Sequence, residues 1–175
     1  MKLNTCFQRK NIFLRKCLCI ALLMTAAHLI NSQTLTVSGS NWSVSVPSIT
    51  EAGSNYGGTY ESSTNQILLT ASVPLLLGSG KVSVHYEANP TWHNSLILSV
   101  RRTGNGTTLC ALCSISGGTT YQTVTQTDIE LFRIQAVLAL ASYSNIPIQL
   151  QLSGVSVTIP ASSYQSRMVF TISAL

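Results

Sequence analysis

Charge is what this sequence has least of. Only 9% of its residues are Asp, Glu, Lys or Arg, and the acids number five in 175. They are Glu51, Glu61, Glu87, Asp128 and Glu130. A glycosidase needs two carboxylates about 5–10 Å apart, and the spacing suggests none; Glu51 with Glu61, across a Gly- and Tyr-rich loop, comes nearest. Ser is abundant, yet no Gly-x-Ser-x-Gly elbow appears. The chain therefore reads as not an enzyme, with no catalytic residue, no cofactor and no metal. The one metal-like grouping is His85, Glu87 and His93. Residues 85 and 87 share a strand face, and His93 could return across a turn. Two imidazoles and a carboxylate can hold zinc, but this spacing matches no compact metal motif, and a solvated sheet face is the simpler reading.

Cysteine is also sparse where it counts. Beyond residue 32 only Cys110 and Cys113 remain. A redox-active Cys-x-x-Cys normally sets its first cysteine at a helix N-terminus. Here the pair follows a turn in a strand-like run, which points to a small structural disulfide instead. Positions three apart on a straight strand are too distant to bridge, so a bridge requires a bulge or tight turn at Ala111-Leu112.

A basic excess is missing once the chain is divided. The whole sequence carries +5. Residues 1–32 hold Lys2, Arg9, Lys10, Arg15 and Lys16, then an apolar run from Cys17 to Ile30, then polar Asn31-Ser32. This is the layout of a signal peptide, with cleavage expected after Ser32 or after Ala27. The apolar run falls short of the roughly 20 residues of a spanning helix. What remains, residues 33–175, balances Lys81, Arg101, Arg102, Arg133 and Arg167 against the five acids. It has no electrostatic footprint for nucleic acid and nothing that draws it to an acidic membrane. The expected location is secreted, extracellular or at a cell surface, with no membrane span after cleavage. Low charge with high β-propensity suits surfaces buried against neighbours, so self-association or binding to other surface proteins is expected.

What the chain does have is alternation. From Ile146, apolar Ile146, Ile148, Leu150 and Leu152 oppose Gln149 and Gln151. After Ser153-Gly154, Val155, Val157 and Ile159 oppose Ser156 and Thr158, and after Pro160 the pattern resumes at Met168, Phe170 and Ile172. This is the period of half-buried strands. Similar runs occur at 34–38, 42–46, 66–73, 81–87, 95–102, 107–115 and 121–127. Gly104-Asn105-Gly106 is the strongest hairpin signal and predicts that 107–115 returns beside 95–102. Thr127-Asp128-Ile129-Glu130 has capping-box spacing, so a short helix near 128–142 competes with a strand at 129–134. Together these predict one all-β domain over 33–175, an antiparallel immunoglobulin-like or pilin-like β-sandwich of about 8–10 strands.

Two candidate surfaces follow. The loop 51–65 carries Tyr56 and Tyr60 among three glycines, and long loops are where binding usually sits. Tyr56, Tyr60, Trp92 and His93 could present aromatic faces to a glycan or another ligand; the alternative is that the rings fold over the core. The C-terminal residues Ile159, Pro160 and Tyr164, followed by Met168, Phe170 and Ile172, resemble the closing segment of secreted bacterial pilin-like and spore-coat-protein-U-like β-sandwiches. The resemblance implies a non-catalytic structural, assembly or adhesion subunit, with Thr34 to Val46 as the segment that would pair into a neighbour's open edge. The chain departs from such subunits in its cysteines, because Cys110 and Cys113 are close in sequence rather than a long-range pair.

Overall fold

The computed structural model describes residues 33–73, 78–136 and 141–175. The expected signal peptide and part of the 128–142 helix alternative lie outside them. Sheet A takes β1 (Thr34–Gly39), β2 (Tyr60–Glu61), β3 (Ile67–Val73), β5 (Ile97–Arg102), β7 (Gln122–Thr123) and β9 (Ala141–Ser153). Sheet B takes β4 (Ser79–Ala88), β6 (Cys113–Ser116), β8 (Ile129–Ala136) and β10 (Ser166–Ala174). Sheet A runs β1-β3-β9-β5-β7, with β2 also on β9, and sheet B runs β10-β4-β8-β6. All pairings are antiparallel. The two sheets pack as a sandwich, and no helix occurs among the described residues. The region 129–136 is a strand, so the capping-box spacing at Thr127 does not start a helix there.

Alternation set the core. Leu69, Ala71 and Val73 of β3, Ile146 and Ile148 of β9 and Val100 of β5 are fully buried against Val82 and Val84 of β4 and Ile134 of β8. Two bulges depart from strict alternation. On β8 the register slips between Val82 and Ser83 of its partner, leaving Leu131 as the extra residue. Leu131 and Phe132 are consequently both buried, since a bulge re-aims a side chain. On β9 the register slips opposite Leu69 and Ala71, where Asn145 takes φ 55°. Asn tolerates the left-handed region better than most residues, and Pro147 follows the bulge within the strand.

Four expectations are corrected. Residues 42–46 form no strand, although Trp42 packs on the core. Their neighbour runs out: β3 ends where Ile67 faces Gly39, and Gln66 Nε2 donates to the Ser40 carbonyl at 2.8 Å, tying the chain off. Residues 155–159 form a turn, with Ile159 N–H donating to the Ser156 carbonyl at 3.1 Å. Gly154, at φ 78°, passes so close to the Ser95 carbonyl that no side chain fits, and this turns the chain out of the sheet. The Gly104-Asn105-Gly106 hairpin does not form, because β5 already has β9 on one side and β7 on the other. Of the expected returning strand at 107–115, Thr107 makes an isolated antiparallel bridge to Ser144 of β9, and only 113–115 lie in a strand, β6, which pairs with β8 in the opposite sheet. The expected strand at 121–127 shrinks to β7 because the chain changes sheets there. Val124 N–H donates to the Leu98 carbonyl in sheet A at 2.8 Å, and the Thr125 carbonyl accepts from Tyr86 N–H in sheet B at 2.9 Å.

Cys110 and Cys113 are bridged across a turn at Ala111-Leu112, with Cα atoms 5.4 Å apart. The turn is the geometry that the spacing demanded. Leu109 and Leu112, beside it, are exposed.

Candidate functional site

The predicted binding residues lie at one end of the sandwich, on loops except for Tyr60, which opens β2. There β2 begins opposite Leu152, β5 begins opposite Ser153, and β4 ends as β10 begins. Asn89-Pro90-Thr91-Trp92 forms a turn closed by Trp92 N–H to the Asn89 carbonyl at 2.8 Å. Pro90 suits the second position of such a turn because its φ is already fixed. The turn lays half-buried Trp92 against Tyr86, ring centroids 5.8 Å apart and tilted by 51°. The Trp92 Nε1–H is buried with no hydrogen-bond acceptor among the described residues. His93 Nδ1 accepts from Ser95 N–H at 3.2 Å, and its ring meets Tyr164 edge-on at 6.0 Å.

Tyr56 and Tyr60 are placed separately. Asn55 Oδ1 accepts from Tyr56 N–H at 2.8 Å and from Val157 N–H at 3.0 Å, tying the Tyr56 loop to the turn after β9. Tyr60 opens β2, and both tyrosines are half-buried. Among the described residues no ring contact joins either tyrosine to Trp92 or His93. The aromatics therefore share an end without forming one stacking platform. Tyr86 and Tyr164, which complete the ring pairs, were readable only as an inward strand residue and as part of the C-terminal motif.

The metal-like grouping separates in the same way. His85 Nδ1 lies 2.7 Å from Asp128 Oδ1, and Glu87 pairs with Arg167 at 2.5 Å. Among the described residues no three His, Cys, Asp or Glu side chains gather to hold a metal ion. A shallow depression of about 260 Å³ lies along His85, Tyr86, Glu87, Ala88 and Gln126.

A more connected cluster lies on the outer face of sheet A, and it was not anticipated. Arg101 Nε and Nη2 donate to Gln149 Oε1 at 3.0 and 2.9 Å. Gln149, almost wholly buried, donates from Nε2 to the Ser62 carbonyl at 2.9 Å, and Gln151 Nε2 donates to Glu61 Oε1 at 3.0 Å. Arg101 also stacks over Tyr121 at 4.5 Å. Burial raises the Tyr121 phenol above its ordinary pKa, and the Arg101 charge opposes that rise. Strand alternation places Arg101, Gln149 and Gln151 on one face; the pairing register that joins them is not visible in the sequence. This network fills the gap where β2 gives way to β3, with Ser62 Oγ accepting Leu150 N–H at 2.8 Å. Apart from the Tyr121 hydroxyl, which is buried without a hydrogen-bond partner among the described residues, its polar groups bond to one another, which makes it a seam in the sheet rather than an open ligand site.

No protein-family model, no curated protein and no solved structure matches this chain. Among the described residues no helix is long and apolar enough to cross a membrane.

Proposed function

We propose that this protein is a non-catalytic β-sandwich that works by association, as a secreted or cell-surface structural or adhesion subunit. The observation that carries the reading is the state of β1. Among the described residues it is the edge of sheet A, paired with β3 alone. Only Leu35 of its six residues is even partly buried. Val37 faces Leu69, a core residue, yet stays 50% exposed. Residues 40–59, which follow, contain no regular structure. A strand held mainly by its backbone, on a long tether, can leave its own β3 and pair with that of another copy at little cost. The near-neutral charge of 33–175 supports the same reading, because little repulsion opposes close approach. The pilin-like resemblance of the C-terminal segment is consistent with it.

The test is the mass of the naturally processed protein by light scattering across a concentration series. Oligomers that grow with concentration and disappear on deleting residues 33–39 are expected. A monomer at every concentration would overturn the reading. It would turn attention to a glycan- or ligand-binding module built on Tyr56, Tyr60, Trp92 and His93, tested by Trp fluorescence against a glycan panel.

A further inference from the structure

The strand β10 is the longest open edge among the described residues. It pairs with β4 over nine residues without a register shift and with no other described strand. Leu175 N–H donates to the Ser79 carbonyl at 3.3 Å, one step beyond the Ala174–Gly80 pair. Bonding alternates along an antiparallel ladder, so the odd-numbered residues of β10 direct their backbone groups at β4. Ser166, Met168, Phe170, Ile172 and Ala174 then direct theirs at the open edge. None is proline, so every one has an N–H to give.

Natural edges are guarded by inward charges, prolines, bulges or short length. The edge of β10 has none of these. Its inward residues are Met168, Phe170 and Ile172, each only half-buried, and its one charge, Arg167, faces outward and pairs with Glu87.

We propose that β10 pairs antiparallel with β10 of a second copy about a two-fold axis through Phe170, joining two B sheets into one. The register follows from the bonding phase. Phe170 opposite Phe170, Met168 opposite Ile172 and Ser166 opposite Ala174 are all edge-directed residues, so each becomes a bonded pair. On the outer face Val169 meets Thr171 and Arg167 meets Ser173, so no like charges oppose. The pairing gives the inward apolar row of each copy a continuation in the other. A two-fold axis perpendicular to the joined sheet keeps both A sheets on one side, which brings the exposed Val37 of each copy toward the seam.

This inference rests on the assembly reading and names a second contact for it, distinct from β1. The test uses the full chain with its natural processing, in sedimentation velocity. Val169→Lys with Thr171→Lys places two like-charge pairs across the axis on the face away from the core, and Val169→Glu with Thr171→Glu does the same with the opposite sign. Each double variant alone is expected to raise the dissociation constant about tenfold or more. An equimolar mixture of the two is expected to associate again as a heterodimer, a recovery that simple misfolding does not produce. Ser166→Pro, which removes an edge N–H that β4 does not use, is expected to weaken association more mildly. Wild-type association in all three variants overturns the β10 contact. If oligomers survive these variants but vanish on deleting 33–39, assembly stands and this contact falls. If the wild type is monomeric throughout, both fall.

Discussion

The strand β5 begins and ends in opposite chemistries. At its Ile97 end the sandwich is closed by rings: Trp92 on Tyr86, and His93 on Tyr164. At its Arg102 end it is closed by a buried cation. Arg102 is 4% exposed, and among the described residues no carboxylate pairs with it. Instead its Nη1 donates to the Gly104 carbonyl at 3.0 Å and to Asn105 Oδ1, its Nη2 and Nε donate to the Gly117 carbonyl at 2.9 and 3.2 Å, and the Phe132 ring lies 6.0 Å away. Burial lowers the guanidinium below its ordinary pKa, with Tyr143 opposing. A planar group with a fork of donors can gather several carbonyls of one loop, whereas rings close a gap by area and leave the backbone to local turns. The ring-closed end accordingly tolerates an unpaired Trp92 N–H; the cation-closed end has its donors matched to carbonyls.

The contrast is testable by substitution. Arg102→Met leaves the Gly104 and Gly117 carbonyls without their donor, and the expected loss is about 2–4 kcal/mol, seen in calorimetry as a melting point lower by roughly 10 °C. Arg102→Lys should recover less than half of that, since an ammonium cannot reproduce the fork; full recovery would mean that charge alone closes this end. Replacing Cys110 and Cys113 by Ser frees a loop of only a few residues, for which the chain-entropy estimate is about 1–2 kcal/mol. A loss equal to that of Arg102→Met would make the disulfide, not the arginine, the organiser of 103–118.

At the other end, Trp92→Phe keeps the ring and deletes an N–H that has no acceptor. The change is expected to stay within about 1 kcal/mol; a loss as large as at Arg102 would break the comparison. The smallest effect belongs to neither end. Glu130 is hydrogen-bonded by Arg133, which holds its carboxyl below the ordinary value of 4.5. Because the folded state lowers this pKa, the contribution is present above that value and fades as pH falls through the lowered one. Melting of Glu130→Gln against wild type should therefore differ by less than about 1 kcal/mol near neutrality and converge in acid.

Much of the sandwich was legible. The inward residues of β3, β4, β5 and β9 follow alternation in the sequence, and the strand at 129–136 won over the helix because Phe132 and Ile134 face a core that a helix there would leave open. The turn at Ala111-Leu112 followed from cysteine geometry alone. The failures share one cause. Residues 42–46, 107–112 and 155–159 have strand-like patterns, but where the rest of the chain runs decides whether they pair: Gln66 ties the chain off before 42–46, Thr107 reaches β9 by a single bridge to Ser144, and Gly154 turns the chain out of the sheet before 155–159. The Arg102 hook and the Arg101–Gln149 seam were hidden for a related reason: each joins groups brought together by pairing register or by a folded-back loop. Of the candidate aromatics, their shared end follows from the strand order, while their separation into ring pairs depends on loop paths that no local pattern encodes.

The place of β9 in sheet A also governs the order in which the protein can take shape. It stands between β3 and β5, with β2 sharing its flank, yet it is the ninth strand made. A chain emerging from the ribosome would present β3 and β5 long before the strand that joins them exists, and when Ser153 appears only β10 of the described strands remains to be synthesised. Sheet A is therefore completed only near the end of synthesis, although β1 with β3 and β5 with β7 have their partners earlier. Until then the faces of β3 and β5 that β9 will cover are open edges, the kind of exposed apolar surface that makes folding intermediates prone to aggregate.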